Sequence, residues 1–482
     1  MSSAATHANG QRAARDILVQ VFARVGNLAL GVLVTALLAR TLGSAGYGQW
    51  STTLAVLALV GYFGSFGMET VAVREAARAP ETEHEWLGAV MLLRLYMLAP
   101  VVALSALAIV LLHHSHEMLV AGLILVVTMP FNGAGALQLV FQLRVNNLVP
   151  MLVLTLRSVL WTIAVVIIYW RGGSMVTLAI ALTATNAVGS LVQAVAALRA
   201  APRRPRPSRR RVGVLVRHGL PIGISGVLVI GYARIDQLIV FVLRGSRPAG
   251  LYGSVYYVLD QAHFVPISIL TTLAPIMAAS WPANRERLLR AARLSAEVMA
   301  VASFGALAFA SVAATPLIRL FYGREFLAAA PALPILGGAF VFICFGYLND
   351  NLLVIMGLQK RRLLISLAAL VVNVAGNLIL VPIDGFIGAA WMTLATEAVV
   401  CGASLWLILR ELGMSVPAPG RLAHTLLAAA LLAALLEAVK LLGAPLALLV
   451  VVACVAYPAL LFGLRALRVQ ELRVLLRRQE LA

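Results

Sequence analysis

The chain has 482 residues, 61% of them hydrophobic and only 12% charged, with a formal net charge of +19. A soluble domain cannot solvate that much apolar surface, so the composition excludes an ordinary globular protein.

A bilayer core about 30 Å thick takes a helix of about 20 apolar residues. In chain order the apolar runs fall at 17–38, 48–70, 88–112, 117–141, 150–170, 175–198, 219–243, 250–277, 295–320, 327–356, 361–381, 386–409, 422–442 and 444–464. They predict an all-α polytopic membrane protein of about 14 transmembrane helices. The run at 327–356 is long and holds Pro331 and Pro334, which leaves its ends open.

Charge placement tests this threading. With the N-terminus in the cytoplasm, and with the span-end Arg319, Arg361, Arg362 and Lys440 counted with the loops beside them, inner segments collect 27 Lys and Arg, outer segments seven, and four (Arg24, Arg94, Arg157, Arg234) fall within spans. The skew follows the positive-inside rule, and a shift of one span destroys it. Both termini are therefore expected on the cytoplasmic side. The arginines are spread over eight inner segments with no aromatic-studded basic domain, so nucleic acid is not an expected partner. The preference for Arg over Lys, with abundant Ala and Leu, points to a GC-rich bacterial genome and thus to a bacterial cytoplasmic membrane.

Residues 1–16 are polar and carry no cleavable signal pattern, so the first run is expected to act as a retained signal anchor. Cys344, Cys401 and Cys454 lie in spans without disulfide or metal-ligand spacing and read as packing residues. His113, His114 and His116 read as a solvated polar turn. Neither a metal nor a cofactor is expected.

The basic, proline-rich segment 199–218 is expected to stay extended and unfolded through like-charge repulsion. It divides the chain into an N-terminal tail (1–16), a six-helix bundle (17–198), the linker, a second six-helix bundle (219–410), an additional helix pair (411–464) and a basic tail (465–482). The tail pattern around Arg465–Arg478 suits a short interfacial helix, as does Pro282–Arg293. A weak repeat links the halves. Arg40–Gly48 closes the first span and Leu243–Gly253 the seventh, about 204 residues on, each as a glycine turn before an aromatic-bearing start. An even number of spans per half makes the repeats parallel.

Further landmarks are Gly219-Leu-Pro-Ile-Gly-Ile-Ser-Gly226, Arg234-Ile-Asp-Gln237, Ala249-Gly-Leu-Tyr252, Tyr322-Gly-Arg-Glu-Phe326, Gly357-Leu-Gln-Lys360, Asn373, Asn377, Pro382 and Gly385-Phe-Ile-Gly-Ala-Ala390. With Ala39-Arg-Thr-Leu-Gly43 and Gly46-Tyr-Gly48, this set resembles the polysaccharide exporter, or oligosaccharide flippase, family of the multidrug/oligosaccharidyl-lipid/polysaccharide (MOP) superfamily. The resemblance covers nearly the whole chain. It implies two six-helix bundles around a central cavity and the flipping of undecaprenyl-pyrophosphate-linked sugars. Membrane lipids and a glycan polymerase or other export machinery are the implied partners. The span number is similar to the exporters and the lipid II flippases, rather than to twelve-span drug exporters.

Charges embedded in spans are costly and mark functional interiors. Arginine matches phosphate oxygens with a planar fork and stays charged when dehydrated. Arg24 and Arg234, then Arg157 and Arg94, are the expected head-group contacts. Pairing with a neighbouring acid to fasten helices is the other reading of each. Asp236, Asp260, Asp350 and Glu397 are candidates for coupling to a proton or sodium ion, or for helix-to-helix salt bridges. Glu69 and Glu297 lie nearer span ends, where they reach water. Short outer loops, and the lack of a nucleophile beside a base or of a nucleotide-binding loop, argue against a membrane polymerase or ligase. A drug or metabolite exporter is opposed by the two extra spans, and an inert scaffold by the embedded arginines.

Overall fold

A computed structural model of the chain describes residues 2–65, 67–132, 138–143, 148–201, 204–415 and 420–466. Side chains are described from Gly26 on, apart from those of Leu28, Asn132, Gln138, Pro221 and Ser225. The described residues form helices joined by short turns, with no strand among them. The chain divides into two compact units, Met1–Gly250 and Leu251–Ala482.

In the first unit, α1 (Ser2–Phe63) has two legs that meet at Gly43, where the backbone turns through φ 65° and ψ 179°. Side-chain-bearing residues rarely take that conformation, so glycine lets the first two apolar runs fold back in one continuous element. The short α2 (Met68–Arg78) buries Met68, Val71, Ala72 and Ala76. That i, i+3, i+4, i+8 pattern is the mark of a one-sided helix. Then follows α3 (Glu83–Leu112). The run expected at 117–141 is broken into α4 (His116–Val126), α5 (Met129–Asn132) and α6 (Gln138–Leu143). Pro130 has no N–H to continue the ladder, and Thr128 Oγ1 donates to the Leu125 carbonyl at 2.6 Å. Next come α7 (Leu148–Trp170) and α8 (Met175–Ala200), the latter opened by a reciprocal Ser174–Thr177 capping box. α9 (Arg209–Arg244) packs along α1, α2 and α3, while α7 lies on α1 and α8.

The linker differs from its expected unfolded form. Residues 201–208 separate α8 from α9, and the described part of this stretch is held at two points. The Arg206 N–H donates to the His84 carbonyl at 3.0 Å, and Arg211 Nε to Glu85 Oε2 at 2.6 Å. Prolines 205 and 207 keep the strand extended, and Ser208 Oγ caps α9 by accepting from the Arg211 N–H at 3.4 Å. The acidic first turn of α3, Glu83 and Glu85, supplies the charge that offsets arginine repulsion.

The second unit begins within α10 (Ser246–Ala262), which is separated from α11 (Phe264–Ser280) at His263. α12 (Arg285–Phe321) joins the amphipathic stretch expected to be interfacial directly to the following apolar run, without a break. A 3-10 turn, Arg324–Ala329, precedes α13 (Ala332–Ile355), so the ambiguous run at 327–356 resolves into a turn and a helix starting just after Pro331. α13 packs against α11, α12, α14 (Gln359–Asp384) and α15 (Phe386–Leu412). The last pair, α16 (Gly420–Leu441) and α17 (Leu446–Gly463), lies on α12. Tyr457 donates to the Val301 carbonyl at 2.7 Å, and Arg421 pairs with Glu297 at 3.2 Å.

Among the described residues, twelve helices are long and apolar enough to cross a membrane. The expected fourteen is not reached by that count. That count takes Ala29–Phe63, whose two legs meet at Gly43, as one span, and leaves out His116–Phe131, which is shorter than the others. The basic tail beyond residue 466, with its expected interfacial helix, lies outside the described residues.

Candidate substrate cavity

Within the first unit, the end of α1, the turn after it, α3 and α5 enclose a cavity of about 440 Å³. That is within the size range of ligand pockets, about 300–1,000 Å³. Helical spacing on α3 places Met91, Arg94, Leu95, Leu98 and Val101 on one stripe facing it. α1 contributes Leu57, Gly61 and Tyr62, the turn contributes Ser65, and α5 contributes Met129 and Pro130. Met91 and Leu95 are 40% and 64% exposed, so the mouth is apolar. Three methionines, Met91, Met97 and Met129, give the wall an adaptable, polarisable lining. Arg94 is the single charged side chain among the described lining residues. Its Nε donates to Glu69 Oε1 at 3.1 Å, and its Nη2 turns to the same oxygen.

Of the other expected head-group arginines, Arg157 on α7 donates to Asn186 on α8, and its stem fills the space beside Gly189. Those contacts fasten α7 to α8, away from the cavity's lining. Arg234 is half-buried on α9, two residues before the buried Asp236. The side chain of Arg24 lies outside the described residues.

The second unit gathers the other acidic candidates. Asp260, Asp350 and Glu397, from α10, α13 and α15, all act electrostatically on the Tyr347 hydroxyl. Asp350 pairs with Arg362 at 2.8 Å, and the His263 ring lies 5.8 Å from that of Tyr347. Beside them runs a buried neutral polar ladder. Tyr252 and Thr393 share a hydrogen bond of 3.0 Å, Asn373 donates to Thr396 at 3.4 Å, and Asn377 donates to Asn373 Oδ1 at 3.1 Å. Among the described residues no group of three or more His, Cys, Asp or Glu is arranged to hold a metal ion.

Sequence reasoning flagged Arg94 but placed Glu69 in water, and it missed Tyr62, Ser65 and the methionines. The signal available was the 91/94/98/101 stripe, which a purely lipid-facing helix shows as well.

This many-helix fold recurs in solved structures. A lipid II flippase MurJ structure in an inward closed conformation aligns with 92% of this chain and 98% of its own, with TM-score 0.71 and 12% identity. An inward-facing multidrug resistance MATE transporter of the MOP superfamily aligns with 81% of this chain and 95% of its own, with TM-score 0.67 and 18% identity. A MOP superfamily transporter from Pyrococcus furiosus aligns with 82% and 95%, with TM-score 0.59 and 17% identity. No curated protein sequence matches the chain. Residues 13–281, more than half of the chain, match the family described as polysaccharide biosynthesis protein, and the chain belongs to that family.

Proposed function

We propose that the protein is a secondary transporter that flips undecaprenyl-pyrophosphate-linked oligosaccharide across the bacterial cytoplasmic membrane by alternating access. The cavity carries this reading: one arginine, with the hydroxyls of Tyr62 and Ser65, is set in a mainly apolar, methionine-rich wall with an apolar mouth. Such a site suits an anionic head whose prenyl tail stays in lipid, and arginine is the side chain that matches phosphate oxygens. In this reading the linker end and both termini face the cytoplasm, six spans flank the linker on each side, and α16 and α17 form an accessory pair. Arg94, Arg234, Arg157 and Arg24 bind or guide the head group. Asp236, Asp260, Asp350 and Glu397 are the places for coupling to an ion, and a glycan polymerase is the natural neighbour. The test is reconstitution: labelled lipid-linked oligosaccharide is placed in one leaflet of vesicles, and its appearance in the other is followed with a membrane-impermeant enzyme. Protein-dependent transfer supports the reading; transfer no faster than in empty vesicles overturns it.

The alternative with a specific observation behind it is a lipid II flippase, since the structural match covering 92% of the chain is to such a protein. The same vesicles loaded with lipid II decide between the two by relative rate.

A further inference from the structure

We propose that Glu69 is a built-in competitor for the substrate's anionic head. Its carboxylate occupies Arg94 at rest, and a lipid-borne phosphate or pyrophosphate displaces it. The inference rests on the proposed reading of the cavity as a head-group site.

Arg94 faces the cavity, whereas Glu69 is not among the residues that line it. The pair therefore crosses the cavity wall, with the cation inside and its counter-ion behind. Arg94 directs Nε and Nη2 onto one carboxylate oxygen, the same fork it would present to a phosphate oxygen. Phosphate offers more acceptor oxygens and more charge than carboxylate, so exchange is favourable once the head is in place. Without Glu69 the empty cavity would leave Arg94 without this carboxylate in a low-dielectric wall, which is costly. The resting pair thus keeps the vacant cavity neutral and makes entry of an anion the event that breaks it.

The position of Glu69 ties that event to the scaffold. It sits in the first turn of α2, where the helix dipole favours an anion. The residue two before it, Gly67, has φ 65° and lies close against Ile222 on α9. Tyr62, a cavity-lining residue whose hydroxyl feels the Glu69 charge, presses on α9 at Gly226. A swing of Glu69 away from Arg94 is therefore transmitted at both ends of the α1–α2 turn to α9, the helix that carries Arg234 and Asp236.

The experiment measures binding of geranylgeranyl pyrophosphate to the full-length protein in nanodiscs, with uncharged geranylgeraniol and inorganic pyrophosphate as comparison probes. Removing the competitor in Glu69→Gln is expected to tighten the pyrophosphate lipid about tenfold. Arg94→Gln is expected to abolish the difference between charged and uncharged lipid. A simple helix staple predicts the opposite for Glu69→Gln: equal or weaker binding, which overturns the proposal. A gain confined to inorganic pyrophosphate also overturns it, by assigning the site to soluble anions. Should Glu69→Gln not fold, Glu69→Asp withdraws the carboxylate by one methylene and is expected to bind the charged lipid about threefold tighter; no gain overturns the proposal. Binding is read without transport, so failure of the vesicle assay would remove the transport reading while leaving this result standing or falling separately.

Discussion

Gly48 and Gly250 are pressed each against the other's helix: a methyl on Gly48 would overlap the Ser246 carbonyl, and a methyl on Gly250 would overlap the Ser44 carbonyl. The contact is reciprocal, as in an isologous interface. Each side is a Ser-x-x-x-Gly step opened by a left-handed glycine, Gly43 at φ 65° and Gly245 at φ 87°. Small residues four apart let two helical backbones touch, and in a membrane such packing replaces the hydrophobic effect as the main source of helix affinity. The turn around His114 covers the contact. His114 stacks on Phe241 with centroids 4.2 Å apart, and Ser115 donates to Gln49 at 2.7 Å. The three histidines of that turn are themselves exposed, and His114 adds this one ring contact.

Adding one carbon at either glycine is expected to force the two turns apart. Gly48→Ala or Gly250→Ala should cost about 1–3 kcal/mol, because the obstacle is backbone and cannot rotate away. The measurement is disulfide formation between Gln49→Cys and Ser246→Cys, whose native side chains approach to 3.4 Å. The pair should cross-link readily, and about fivefold less in the alanine backgrounds. Gly213→Ala on α9 meets nothing within 4 Å and should be neutral or mildly stabilising.

Gln237 secures the same junction. Its Nε2 lies 3.1 Å from Ser51 Oγ, from Thr52 Oγ1 and from the Ala249 carbonyl, so one amide ties α1, α9 and the start of α10. Gln237→Leu keeps the volume but removes the donor that these three oxygens share, a loss of about 1 kcal/mol. Gln237→Glu replaces a donor by a charge facing oxygen acceptors and should lose more. Thermal melts in detergent should rank wild type above Leu above Glu.

Much of the fold was legible in the sequence because membrane insertion writes itself into composition. Apolar runs mark spans. The two glycine turns were visible as a repeat of about 204 residues, and the structure sets their register at 202, from Gly43 to Gly245. That they touch was not legible, since nothing in either segment names its partner. The same holds for the cavity. Arg94 stood out as an embedded charge, but its pairing with Glu69 depends on the turn at Gly67, which brings residues 25 apart together. Arg157 stood out equally, and the structure gives it Asn186 as a partner between helices. A charge's cost in the membrane shows that it must be compensated, not by what. The broken run after α4 was read as one span because its average hydropathy hides Pro130.

The linker's order yields a protease prediction. Arg211 holds it twice, by its bond to Glu85 and by stacking over the Trp86 ring at 4.5 Å. Such a cation–π contact adds about 0.5–1 kcal/mol at an exposed site. Gly88 leaves room for the Arg206 carbonyl to lie directly on α3. The bonds after Arg204 and Arg206 precede proline, so between residues 204 and 210 trypsin should act after Arg209 and Arg210. Arg211→Ala should free that segment and speed its cleavage severalfold, read by the rate at which the two fragments appear on a gel. Unchanged rates would mean that the Arg206–His84 contact alone holds the linker.

Tyr322 predicts how the second unit responds to alkali. It follows the last residue of α12, is buried, and donates to the Ser254 carbonyl at 2.9 Å. Burial, and then the nearby Tyr257, push its phenol up from the usual 10.0. The folded state therefore holds this proton more tightly than the unfolded chain does. Its contribution to stability is complete below about pH 10 and is lost as the pH rises past that value. Melting temperature should fall in that range. Tyr322→Phe should lower the melt at pH 8, by about 1–2 kcal/mol for the stranded Ser254 carbonyl, and make the alkaline fall shallower. Parallel curves for the two proteins above pH 10 would show that Tyr322 does not carry the alkaline loss.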